Sequence, residues 1–210
     1  MVIVDPSLTA ETLRLRLRPL LLSDAPAVFT FRSDPDCMLY TSTPPTDKLS
    51  EVEDWIQTKC LDASNCYNYV AELKPELSDT GEYQVVGLVG AIRSPELGYG
   101  LMPRHQGKGY MREALEAYFP LYWEHFSKMG IVQYDYATLE MDPEHTASIK
   151  VAEHFGFQRW EHKEHDFFNH RLGWRDTLTW RLPRPGMTME EVMKREEERK
   201  EETAPKAGIA

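Results

Sequence analysis

The sequence has few cysteines, no long apolar run and no excess of basic residues, and each shortage narrows the field. Three cysteines, Cys37, Cys60 and Cys66, are odd in number and irregularly spaced. They outline neither a disulfide framework nor a metal knuckle, so a reducing cytoplasm is the expected setting. No stretch approaches the roughly 20 apolar residues that cross a bilayer, and MVIVDPSLTAETLRLRLRPLLL lacks the basic leader of a signal peptide. Lys and Arg total 24 against 34 for Asp and Glu, a formal charge of -10. A nucleic-acid binder would carry the opposite sign; a cationic partner such as an amine would be attracted. Also missing are the G-x-x-x-x-G-K-[ST] phosphate loop, the G-x-S-x-G elbow and a paired-cysteine redox motif. What is there is a globular chain, 41% hydrophobic and 11% aromatic over 210 residues, enough for one domain with its own core.

In TLRLRLR, Leu13, Leu15 and Leu17 alternate with Arg14, Arg16 and Arg18, the period of a strand buried on one face. Ser23-Asp24 caps a helix that runs to about Arg32. A Pro-rich loop spans Asp34 to Asp47, and a second helix is predicted over Leu49 to Leu61. Tyr67–Leu73, Val85–Ile92 and Glu96–Met102 read as strands of an antiparallel meander. The pattern then changes to a helix bearing Met111, Ala114, Leu115, Tyr118, Phe119 and Tyr122 on one face, with Pro120 expected to kink or end it. A strand over Ile131–Glu140 follows, then a helix started by Asp142-Pro143 and stopped at Gly156. Two last strands lie near Phe157–Asp166 and Trp174–Leu182. Beyond Pro183 the segment Met189–Glu202 is nearly all charge, a solvated helix or a disordered tail with too little apolar surface to join the core. The division expected is an extension over 1–10, one domain over 11–184 and a charged tail over 185–210.

Gly107 and Gly109 stand between a strand and a helix. Glycines there let backbone amides approach a ligand, and a helix N-terminus favours an anion such as a pyrophosphate. Arg104, Lys108 and Arg112 add charge at the rim. The third glycine of a dinucleotide fingerprint is missing. The run Pro103-Arg104-His105-Gln106-Gly107-Lys108-Gly109-Tyr110-Met111-Arg112-Glu113-Ala114-Leu115 resembles the coenzyme A signature Q/R-x-x-G-x-G/A of the GCN-five-related N-acetyltransferases, with Met111 where a small residue is usual. Glu144-His145-Thr146-Ala147-Ser148 through Phe155-Gly156-Phe157 resembles their second signature, E-N-x-x-S ending in G-F. Gly173-Trp174-Arg175-Asp176 looks like the closing strand of the RimJ/RimL-type subfamily. The resemblance spans roughly Thr12 to Leu182.

The resemblance implies a mixed α/β fold with a mostly antiparallel sheet of six to seven strands, splayed in the middle and flanked by about four helices. It implies acetyl-coenzyme A as cosubstrate, with Leu101, Met102, Arg104, Gln106, Gly107, Lys108, Gly109, Tyr110, Met111, His145 and Ser148 around it. A backbone amide near Leu101 or Met102 would polarise the thioester carbonyl. The acceptor would be a primary amine, on a small molecule or a protein N-terminus, with no metal, no nucleic acid and no membrane; the protein would be a monomer or homodimer. Ser148 is the expected leaving-group acid, against the plainer reading of a serine bonded back to its own helix. His145 stands where the family has asparagine. It can donate one hydrogen bond, titrate near neutrality, or have no role. For the general base, Glu140, Glu96, Tyr99 and a water relay remain open. His162, His165 and His170 suggest zinc, but strand parity puts 162 and 165 on opposite faces. Phe167, Phe168, Trp174 and Trp180 either line an acceptor pocket or belong to the core. Two rival readings are a coenzyme A-binding protein without transferase activity and a transferase of longer acyl groups.

Overall fold

The computed structural model describes residues 7–62, 66–128 and 134–203. A two-residue strand, β1 (Ala10–Glu11), pairs antiparallel with β2 (Leu15–Pro19), whose Leu15 and Leu17 are fully buried; Leu13, expected on the same buried face, precedes the strand and is 86% exposed. The intervening arginines turn outward but not into free solvent. Arg16 and Arg18 converge on the buried Glu72 carboxylate at 2.6 and 2.9 Å, and Arg18 also holds Asp24 at 2.7 Å. A carboxylate at that depth is tolerable only with such partners.

After α1 (Ala25–Arg32), α2 (Leu49–Trp55) widens into a π-turn over Ile56–Leu61. The meander follows as β3 (Tyr67–Leu73), β4 (Gln84–Arg93) and β5 (Glu96–Leu101). The second half is α3 (Tyr110–His125), β6 (Tyr136–Met141), α4 (Thr146–Phe155), β7 (Gln158–Asn169), β8 (Gly173–Pro183) and α5 (Met189–Thr203). Residues 131–133 of the expected sixth strand lie outside the described residues.

The strands form one sheet in the order β1-β2-β3-β4-β5-β6-β8-β7. Every neighbouring pair is antiparallel except β5 and β6, which are parallel and share a single register pair, Glu96 with Thr138. The Thr138 amide also donates to the Pro95 carbonyl at 2.9 Å. Beyond that point the two strands part, and the sheet is splayed at its middle. The mixed α/β fold with a splayed, mostly antiparallel sheet is therefore as expected. Eight strands rather than six to seven are present because β1 adds a short edge. Among the described residues no helix is long and apolar enough to cross a membrane.

Three local expectations are corrected. Of the two outcomes expected at Pro120, an end to the helix does not occur, and α3 runs on to His125. Pro120 and Glu116, whose carbonyl loses its donor, both lie on the exposed face, where water can serve that carbonyl. Asp142-Pro143 does not start α4; the helix begins at Thr146 with His145 as its N-cap. The tail, expected to stay clear of the core, is a fifth helix docked on the sheet. Val192 and Met189 are buried, and Arg195 and Arg199 reach the buried Asp135 carboxylate at 3.7 and 2.8 Å beside Arg184 at 3.3 Å. Two apolar anchors and one shared carboxylate hold a helix whose remaining faces are solvated.

Candidate active site

The splay leaves one side of β5 without a strand partner, and ladder parity decides which groups face the gap. The Met102 amide donates to the Val86 carbonyl at 2.9 Å, so Met102 and, by antiparallel alternation, Gly100 and Gly98 spend their backbone groups on β4. Tyr99 and Leu101 then point theirs into the gap. Of the two amides expected to polarise a bound carbonyl, Leu101 is available and Met102 is not.

The loop after β5 leads into α3 through two left-handed glycines, Gly107 (φ 72°) and Gly109 (φ 79°). Only glycine adopts such angles without strain. Gly109 is the N-cap of α3, so the free amides of the first turn open at this loop. Arg104, Lys108 and Arg112 are exposed beside it; Arg104 donates to His105 at 3.0 Å and lies 3.9 Å from Asp79, and Arg112 is 3.6 Å from Glu116. The side chains of Tyr110 and Met111 are buried, which leaves their backbone amides as the groups able to meet a ligand. Gln106 folds back, donating to the Leu101 carbonyl at 3.1 Å and to the Cys37 thiol at 3.3 Å.

Arg14, read from the sequence only as an outward strand residue, braces this loop from behind. Its Nη1 donates to the Lys108 carbonyl at 3.0 Å, its Nε to Glu113 at 2.6 Å, and its guanidinium lies 4.5 Å from the centre of the Tyr110 ring. Burial alone would raise the Glu113 carboxyl. Hydrogen bonds from Thr12, the Arg14 amide and the Arg14 side chain outweigh it and hold the group below its ordinary value.

Across the gap, the N-terminus of α4 is built on Asp142. Its fully buried carboxylate takes a two-point contact from Arg175 (2.6 and 2.9 Å) and a hydrogen bond from the Glu144 amide at 2.8 Å. Burial pushes its carboxyl up, but Arg175 and the Glu144 amide hold it below the usual range. His145 lies half-buried, its ring stacked on Tyr40 with centroids 4.6 Å apart. Burial lowers its pKa and favours a neutral ring, and the Asp142 charge opposes that shift.

Ser148 is buried on the inner face of α4 with Ala152, as helical spacing predicts. Burial pushes the Tyr99 phenol of β5 up to about 12, and the nearby Ser148 hydroxyl acts in the opposite direction. That phenolic oxygen is buried without a completed hydrogen bond. Two hydroxyls from opposite walls therefore converge where the sheet opens.

A cavity of about 500 Å³ occupies the opening and is lined by Tyr40, Glu96, Tyr99, Glu140, Asp166 and Phe167 among others. Glu96 forms an ion pair with Arg93 at 2.7 Å. Its carboxyl is raised, chiefly by burial and further by the facing Glu140 charge, against the pull of Arg93. Glu140 is exposed. Of the four aromatics singled out, Phe167 lines the cavity, Trp180 packs partly against the core, and Phe168 and Trp174 are exposed. The parity argument for the histidines fails locally, because the β7–β8 register shifts between Lys163 and Phe167 and His165 sits at φ 49°. The His162 ring and the His165 amide both reach Asp176, at 2.8 and 3.0 Å. Among the described residues no group of three or more His, Cys, Asp or Glu is arranged to hold a metal.

Comparison with known proteins places this geometry. Residues 14–158 match the acetyltransferase (GNAT) domain family. The N-acetyltransferase p20 of Bacillus licheniformis is 25% identical over 162 residues, 72% of this chain and 83% of that protein. Among solved structures, spermidine N-acetyltransferase from Vibrio cholerae, in complex with CoA and spermine, aligns with TM-score 0.65 at 19% identity, over 81% of this chain and 95% of that one. Ribosomal-protein-S5-alanine acetyltransferase from Vibrio fischeri aligns with TM-score 0.66 at 18% identity, over 87% and 100%. The chain belongs to the GNAT acetyltransferase family.

Proposed function

We propose that this enzyme transfers an acetyl group from acetyl-coenzyme A to a primary amine, directly, within a ternary complex. The observation that carries the reading is the splay itself. A strand edge with the Leu101 amide free adjoins a helix N-terminus entered through Gly107 and Gly109. The residues fit the cosubstrate. Amides of residues 107–111, with Arg104 and Lys108, suit its pyrophosphate, and the open edge at Tyr99 and Leu101 suits its extended amide arm. Gln106 braces that edge, and His145 and Ser148 border it from α4. When bound, acetyl-coenzyme A supplies the activated thioester; the other requirements fall to this chain. The Leu101 amide is aimed to stabilise charge growing on a carbonyl oxygen. Ser148, backed by the Tyr99 hydroxyl, can give a proton to a departing thiolate. Glu140, with Glu96 behind it, can receive the ammonium and accept its proton, since only a neutral amine attacks.

The acceptor is read as a cationic amine, on a small molecule or a protein N-terminus. The similar Vibrio cholerae and Vibrio fischeri proteins are a spermidine N-acetyltransferase and a ribosomal-protein-S5-alanine acetyltransferase, and both acceptors are amines. Cytoplasmic residence as a monomer or homodimer, without metal, completes the proposal.

The test is calorimetric titration with acetyl-coenzyme A, followed by thiol release against a panel of alkylamines, diamines and peptides with free N-termini. Saturable one-to-one binding and amine-dependent release support the reading. Absence of binding at high micromolar concentration would overturn it.

A further inference from the structure

The segment between Asp34 and Asp47 carries no helix or strand, yet Met38, Tyr40 and Thr41 form part of the cavity wall. A wall of turns and bends needs an outside brace, since its own backbone ladder is missing. That brace is Asn169, at the tip of the β7–β8 hairpin. Its amide nitrogen donates to the Leu39 carbonyl at 2.7 Å and to the Thr41 carbonyl at 2.9 Å. Its amide oxygen accepts from the Arg171 and Leu172 amides, each at 2.9 Å. Asn169 is 3% exposed, and both donors and both acceptor positions of its side chain are used. The two carbonyls it holds flank Tyr40, whose ring is stacked on His145, the N-cap of the helix that carries Ser148. Arg171 adds an outer contact, to the Pro35 carbonyl at 3.2 Å and Asp36 at 3.1 Å.

We infer that Asn169 is a positioning residue for the acceptor: by clamping residues 39–41 it seats Tyr40 on His145 and fixes the acceptor wall of the cavity. No other short side chain does this. Aspartate would present charge to two carbonyl oxygens, and alanine would leave both without a donor in a buried place. The contacts of Asn169 and Arg171 fall on residues 35–41 and not on the loop over 103–112. The segment meets that loop through Cys37, which accepts from Gln106 at 3.3 Å and lies outside the clamped residues 39–41.

Two readouts on the full-length protein test this, and only the kinetic one rests on the proposed function. In Asn169→Ala, amide hydrogen exchange should rise in residues 39–43 and 143–147 and stay unchanged in 107–112. The KM of the best amine from the panel should rise about tenfold, with that of acetyl-coenzyme A within about twofold. In a Tyr40→Ala background the same change should add less than about twofold, because the two residues act as a unit. If Asn169→Ala does not fold, Arg171→Gln loosens the clamp from its exposed end and should give the same split at about threefold. Equal rises in both KM values, additive effects of Asn169→Ala and Tyr40→Ala, or unchanged exchange at 143–147 would overturn the inference. A wild type with no amine-dependent thiol release would instead sink the proposed function, and the exchange measurement would still decide this one.

Discussion

The two sides of the splay are built in opposite ways. On the β5 side, the glycine loop is short, enters a sixteen-residue helix, and is braced by one arginine that meets a backbone carbonyl, a carboxylate and a ring. On the α4 side, the wall is a long irregular segment with a half-buried histidine and tyrosine stacked on each other, held by a hairpin tip about 130 residues away in sequence. The first design suits a ligand that never changes, because helix amides and left-handed glycines present fixed donors. The second suits an acceptor that differs between relatives, because a loop wall can be rebuilt without disturbing the sheet.

The largest effect should come from the residue that joins the two sides. Ser148→Ala is expected to lower kcat about 100-fold while acetyl-coenzyme A affinity stays within about twofold. An unchanged kcat would mean that the α4 side shapes the acceptor site without doing chemistry.

Acid provides a second comparison. His125, in the last turn of α3, is buried against the Tyr67 ring at 4.0 Å, and burial lowers its pKa to about 4. His145, on the other side, is also lowered by burial. For both, the unfolded chain takes up a proton at a higher pH than the folded one. The stability each contributes is therefore complete above the ordinary histidine value of 6.5 and drains as pH falls. For His125 the loss runs from pH 6.5 down to about 4 and reaches about 3 kcal/mol at its limit. His125→Phe should keep the stacking and flatten most of that slope in denaturant titrations. If the slope survives intact, the acceptor side is the one that yields to acid.

The smallest effect sharpens the contrast. Arg14→Ala should cost about 1–2 kcal/mol of stability, since the pair is partly exposed, and weaken acetyl-coenzyme A binding by a few fold. The amine KM should not move. If both substrates suffer alike, Arg14 braces the whole sheet rather than the loop.

Period and punctuation in the sequence determined much of this protein. Leu15 and Leu17, though not Leu13, announced β2, the six apolar positions from Met111 to Tyr122 announced α3, and Gly107, Gly109 and Gly156 marked turns that demand left-handed backbone. Ser148, expected from the resemblance to the family's second signature, is buried on the inner face of α4. These features are local, set by dihedral preference and by which face must leave water. Tertiary structure decided the rest. Antiparallel parity freed Leu101 and not Met102, a property of the β4 partner rather than of either residue. Asp142 became the footing of α4 instead of its cap because Arg175 claims its carboxylate. The charged tail docked because Asp135 is buried and needs cations. Arg14 with Glu113, and Asn169 with residues 39–41, are contacts over 99 and about 130 positions. Hydrogen bonds of that span leave no periodic trace, because the chain brings their partners together only once the sheet has formed.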